Sequence, residues 1–159
     1  MRQVWDDPFG CPRDVSLRRV VGYTQTERGT ETVTATHLPP NWQRRLLAVL
    51  GADPGYAQGI RLLSAWQVAE GGTAKWNPLN TTYKISGSTN YNAAGVQNYK
   101  RATEGVCATA LTFVNGFYPG IVGALQAGTA TAENIVQAHA GEIRTWGTDP
   151  RTILAVLAE

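Results

Sequence analysis

AQGIRLLSAWQVAEGG, residues 57–72, decides how the rest of this chain is read. At about 100° per residue, Ile60, Leu62, Leu63, Trp66 and Ala69 share one arc of a helical wheel, so the spacing predicts an amphipathic helix over 57–70. Gly71 and Gly72 follow at once and supply the left-handed or extended backbone that stops a helix. Glu70 closes the segment and falls between Trp66 and Leu63, inside the apolar arc. A carboxylate on such a stripe is unusual, because burying a charge is costly unless it is paired or used. Partial desolvation and the negative end of the helix dipole both disfavour the anion. An acid group of that kind is suited to giving up a proton as a general acid. The plainer alternative is a helix-end carboxylate turned to water.

Upstream, Pro39-Pro40 marks a boundary. Asn41 is placed to cap a helix whose stripe is Trp42, Leu46, Val49 and Leu50, with Gly51 ending it. Asp53-Pro54-Gly55 is the turn into the Glu70 helix. Downstream, helices are expected over about 102–115, 118–127, 131–144 and 150–158, the last with Asp149 as cap and Pro150 at its first position. The expected fold class is therefore mainly α, one domain over residues 39–159. Between the helices, residues 71–100 read as irregular structure with short strands around Thr81 to Ile85. Asn77, Asn80, Asn90, Asn92 and Asn98 favour turns there, and Trp76, Tyr83, Tyr91 and Tyr99 add aromatic surface without a single Asp or Glu. A polar connection of this length inside a compact domain is uncommon unless it has a function.

Residues 1–38 differ in character. They carry Arg2, Arg13, Arg18, Arg19 and Arg28 and many threonines. Val20 to Thr26 and Thr30 to Thr36 flank Glu27-Arg28-Gly29 and read as a hairpin. Two readings stand side by side: a loosely ordered arm, or an attachment segment for a larger assembly.

Composition narrows the function classes. With 159 residues, 43% hydrophobic and 16% charged, the chain is able to bury a core, and a net charge of +2 does not argue for nucleic acid. No apolar run reaches the ~20 residues that cross a bilayer, so no membrane partner is expected. The N-terminal MRQVWDDPFG has no apolar h-region, so no secretory signal is expected. The only histidines are His37 and His139, and His139 sits between Ile135 and Ile143 on a helical face, which reads as a core histidine. No metal and no cofactor is expected, and no H-E-x-x-H spacing or Cys–His pair suggests a peptidase. Of the two cysteines, Cys107 lies in an apolar arc and reads as a small buried hydrophobe, with a disulfide to Cys11 as the alternative.

An acid at a helix end followed by a loop of amides, hydroxyls and aromatic rings suits a sugar, which offers hydroxyls on rings with apolar faces. No second carboxylate lies between Glu70 and Glu104, whereas a two-carboxylate glycosidase needs a partner ~5–10 Å from its acid. Glu104 itself reads as a solvated charge or a dipole partner at a helix start.

AEGGTAKWNPLNTT (69–82), GSTNYNAAGVQNY (87–99), ATALTFVNGFYPGIVGALQAG (108–128) and RTWGT (144–148) together resemble lysozyme-like peptidoglycan hydrolases of phages that infect actinobacteria. The resemblance spans about residues 41–158. The wider superfamily includes soluble lytic transglycosylases and goose-type lysozymes, and it implies a lysozyme-like α+β domain of two helical lobes with a cleft. It also implies cleavage of the β-1,4 bond between N-acetylmuramic acid and N-acetylglucosamine, with Glu70 in the position of the catalytic acid. Gly95-Val96-Gln97 resembles the Gly-x-x-Gln-like segment that lines the sugar cleft, although Gln97 comes one residue early. Asn77, Asn80, Thr81, Tyr91, Gln97, Tyr99 and Tyr118 are the candidate sugar contacts, and Trp146-Gly147-Thr148 reads as a structural turn. Expected partners are peptidoglycan glycan strands and, through residues 1–38, other phage tail proteins. The expected location is the virion or, after release, the host cell wall. The competing expectation is a structural phage tail protein whose lysozyme-like domain binds glycan without cutting it.

Overall fold

The computed structural model describes residues 37–159. The hairpin expected within 20–36 lies outside the described residues.

Seven helices carry the described part, as a mainly α class requires: α1 Trp42–Val49, α2 Ala57–Glu70, α3 Ala102–Phe113, α4 Pro119–Ala127, α5 Ala132–Ala138, α6 Ala140–Trp146 and α7 Pro150–Leu157. None of them is long and apolar enough to cross a membrane. The 57–70 helix forms as its periodicity predicts, and it buries Leu62, Leu63, Ala65 and Trp66. That stripe packs on α7, α1 and α5, while α1 also packs on α3. Each fully buried Leu contributes about 1.5–3 kcal/mol, so this face holds α2 at the centre of the core. Arg61, at the edge of this stripe, donates to both oxygens of Glu133 at 2.8 and 2.7 Å and to the Leu157 carbonyl at 3.0 Å. One guanidinium thus joins α2 to α5 and to the end of α7.

Local signals succeed at several helix ends. Gly71 closes α2 at φ 60°, and the Asp149 carboxylate accepts from Arg151 N at the start of α7. Asn41 does not cap α1: it is left-handed at φ 53° and its side chain makes no capping bond. The helix expected over 131–144 is two helices, broken at His139. His139 is half-buried rather than a core residue. The break realigns the faces that a single continuous wheel placed together.

Strands form at Thr89–Asn90 (β1) and Gln97–Asn98 (β2), not around Thr81 to Ile85. They pair antiparallel, Thr89 with Asn98 and Asn90 with Gln97. A short hairpin with a compact turn wins because Asn92 Oδ1 accepts from Val96 N and the Asn92 carbonyl accepts from Gly95 N. The loop as a whole is anchored by a small second core of Trp76, Tyr99, Ala102 and Ala108. There the chain presses against α3 so closely that a Cβ on Gly105 would stand 1.6 Å from the Trp76 carbonyl oxygen.

Cys107 is fully buried on α3, as expected, but it is disulfide-bonded and not simply a small buried hydrophobe.

Candidate active site

Glu70 is the last residue of α2, half-buried, with a neutral donor on each oxygen. Asn80 Nδ2 donates to Oε1 at 3.0 Å. The Thr148 hydroxyl bonds to Oε2. Thr148 is itself buried, at 6% exposure, and its oxygen accepts from the buried Trp66 indole Nε1 at 2.9 Å. With the indole donating in, the hydroxyl proton is left to point at the carboxylate. Among the described residues no lysine or arginine pairs with Glu70. The group is thus held by hydrogen bonds and not locked by a counter-charge.

The supporting structure is built from both ends of the chain's described part. Asn80 adopts a left-handed backbone at φ 57°, a conformation that Asn tolerates better than most residues, and this turns its amide back to the helix end. Gly72 makes room for it, since a Cβ there would stand 1.9 Å from Asn80 Oδ1. Beneath Glu70, Trp66 meets Phe113 and Trp146 edge-on at centroid distances of 5.7 and 5.4 Å, and Tyr118 packs on Trp146 at 5.2 Å. Trp146 Nε1 donates to the Leu79 carbonyl at 2.9 Å, so the same rings that floor the site also fix the residue before Asn80. Thr148 lines an open hollow of about 480 Å³ with Arg144, Gly147, Asp149, Pro150 and Arg151.

Of the sugar contacts expected from sequence, the structure brings Asn80 to Glu70 and leaves Tyr91 exposed, its hydroxyl bonded to Thr73. The others face inward. Gln97 is 1% exposed, with Nε2 donating to Asn90 Oδ1 and the Gly95 carbonyl and Oε1 accepting from Ser88. Asn77 pins the loop, donating to the carbonyls of Thr81 and Gln97 and accepting from Thr81 N. Thr81 is buried against Thr112 of α3. Tyr99 is 2% exposed and its hydroxyl donates to the Tyr83 carbonyl. Burial first, then the nearby Glu104 and Tyr83, pushes its phenol well above the ordinary range. Tyr118 is buried in the ring cluster, and burial followed by the charge of Glu142 raises its phenol too. A buried polar side chain must satisfy itself internally, and Gln97, Asn77, Thr81 and Tyr99 do so by bracing the loop.

Thr148 is the residue that sequence reasoning placed in a structural turn and the structure places on the acid. Its signal was weak, because 78 residues separate it from Glu70 and only the fold joins them. Glu104 accepts from Lys100 N at the start of α3. Among the described residues no cluster of His, Cys, Asp or Glu is arranged to hold a metal ion. No family model, curated protein or solved structure matches this chain.

Proposed function

We propose that this chain is a peptidoglycan glycosidase that cleaves the β-1,4 bond between N-acetylmuramic acid and N-acetylglucosamine, with Glu70 as general acid. The observation that carries the reading is the Glu70 carboxyl group itself: half-exposed at a helix end, held on both oxygens by the neutral donors Asn80 and Thr148, and free of any cationic partner among the described residues. The resemblance of residues 69–82 and 87–99 to lysozyme-like phage hydrolases supports it. In this reading the helices form two lobes and the glycan lies across Glu70. The protein acts from a phage tail or in the host wall, and residues 1–38 meet other tail proteins.

Protonated Glu70 gives its proton to the glycosidic oxygen as the C1–O bond breaks, leaving an oxocarbenium-like muramyl residue. Either water or the muramyl 6-hydroxyl then attacks C1, and Glu70 takes the proton released by the attacking oxygen. The intramolecular route needs no second carboxylate. It is favoured by five of the other described acids being engaged elsewhere: Asp53 with Gly55 N, Glu104 with Lys100 N, Glu133 with Arg61, Glu142 with Gly120 N and Ile121 N, and Asp149 with Arg151.

The test is muropeptide release from purified actinobacterial walls by the wild type and by Glu70→Gln. Glutamine keeps the shape and loses the acid, so release is expected to fall by about 10²–10⁴-fold. Mass spectrometry of the products separates the routes, since anhydro products are lighter by one water. Undiminished release by Glu70→Gln sinks the assignment. Wall binding without release by the wild type would instead support the non-catalytic glycan-binding protein.

A further inference from the structure

Residues 71–101 contain Lys75, Lys84, Lys100 and Arg101 and no Asp or Glu. Two of these cations meet in one place. A second hollow, about 490 Å³, is lined by His37, Thr73, Lys75, Gly87, Thr89, Asn98, Tyr99 and Lys100. Among the described residues its lining thus includes two lysines, a histidine, two threonines and an asparagine and no Asp or Glu, and the nearest acid, Glu104, is engaged by Lys100 N just outside it. Among the described residues neither lysine forms an ion pair. Their backbones are fixed rather than loose. Lys75 N donates to Asn98 Oδ1 at 2.9 Å, the Lys75 carbonyl accepts from Tyr99 N at 3.0 Å, and the Lys100 side chain lies across the Gly87 turn, its Nζ 3.2 Å from where a Cβ would stand. The hydroxyl of Thr73 is fixed by Tyr91.

We propose that this hollow is an anion-binding subsite for the wall polymer, taking a carboxylate or a phosphodiester group of the strand that Glu70 cuts. The inference rests on the glycosidase reading for the identity of the polymer and on the hollow alone for the chemistry. Two lysines whose ammonium groups form no ion pair among the described residues hold positive potential that an anion would neutralise, and the threonine and asparagine groups supply directional bonds to its oxygens. Thr73 follows Glu70 by only three residues of chain, which span at most about 11 Å, so a strand crossing the acid reaches the hollow's edge. The subsite would hold an acidic glycan in register over Glu70, and a neutral glycan would lack that hold.

The test uses the full chain carrying Glu70→Gln, so that binding is read without cutting. Pelleting with purified walls at low salt (about 0.02 M, where charges act over tens of ångströms) gives an apparent Kd. Lys75→Gln with Lys100→Gln is expected to weaken binding roughly tenfold and to flatten its salt dependence. Lys84→Gln with Arg101→Gln removes the same charge outside the hollow and is expected to weaken it much less. Walls with carboxylates blocked as methylamides, and walls stripped of phosphodiester polymers by hydrofluoric acid, identify the source of the anion by which treatment abolishes the difference between the two pairs. Equal weakening by both pairs, or unchanged binding by Lys75→Gln with Lys100→Gln, overturns the proposal. Muropeptide release by chains with native Glu70 is measured in parallel, so failure of the glycosidase reading shows there and failure of the subsite shows only in binding.

Discussion

The Trp66 indole donates to Thr148 Oγ1 at 2.9 Å across 82 residues of chain. A core side chain of α2 thereby orients a hydroxyl from the turn before α7, and that hydroxyl holds the acid one turn further along α2. The carboxyl group is located by its own helix through a residue 78 positions further along the chain.

Thr148→Val removes this relay while keeping the shape. It leaves the buried indole N–H without an acceptor, so stability is expected to drop by about 1–3 kcal/mol in denaturant unfolding. It also removes one of the two hydrogen bonds that orient the Glu70 carboxyl group, so wall cleavage is expected to fall about 10- to 100-fold beyond any loss from unfolding. Thr148→Ser restores both. A pH–rate profile displaced in Thr148→Val but restored in Thr148→Ser identifies the hydroxyl as a positioning group; a superimposable profile would reduce Thr148 to a packing residue.

Gly72→Ala acts on the other oxygen. The new Cβ would stand 1.9 Å from Asn80 Oδ1 and 2.6 Å from its Cγ and Nδ2, so the amide must leave Glu70. Turnover is expected to drop roughly tenfold, as for Asn80→Ala. The double variant should be no worse than either single one, because both remove the same bond. Additive losses would show that Gly72 matters for another reason.

Gly105→Ala tests how the loop is mounted. A Cβ there meets the Trp76 carbonyl oxygen at 1.6 Å, and a backbone atom has no rotamer by which to move aside. Overpacking of this kind costs about 1–3 kcal/mol or more, and here it should loosen the loop before the helices. Hydrogen exchange is expected to rise at Asn77, Thr81 and Gln97 while α2 and α7 stay protected. Uniform loss of protection would place Gly105 in the global core instead.

The Arg61–Glu133 clamp gives a pH dependence whose sign is fixed. The Arg61 hydrogen bonds hold the Glu133 carboxyl below its ordinary value of 4.5. A depressed carboxyl adds stability above that ordinary value and loses it as the pH falls through the lower folded value. The denaturation midpoint of Glu133→Gln should therefore lie below that of the wild type at neutral pH, and the gap should close under acid conditions below 4.5. Both side chains remain well exposed, so the gap should be small and should shrink with added salt. A gap independent of pH would mean that the clamp works through packing.

Much of this molecule was legible because it is local. The apolar arc of Ile60, Leu63 and Trp66 needs only the pitch of a helix, Gly71 needs only its own φ, and Asp149 needs only a backbone amide two residues on. Glu70 stood out for the same reason: its neighbours on the wheel are its neighbours in sequence. The loop was not legible in this way. An amide or a hydroxyl serves equally well toward a ligand or toward the protein, and composition does not say which. Gln97, Asn77, Thr81, Tyr99 and Tyr118 turned inward because their own chain supplies carbonyls, hydroxyls and rings to meet them.

By itself, then, the sequence determined a set of helices and one acid at the end of the second of them, through contacts that span a few residues. Tertiary structure alone decided what touches that acid. Thr148 and Asn80 arrive from 78 and 10 residues away, and Gly72 leaves the space they need. Hydrogen-bond partners at such separations are chosen by how helices pack, which no local periodicity encodes.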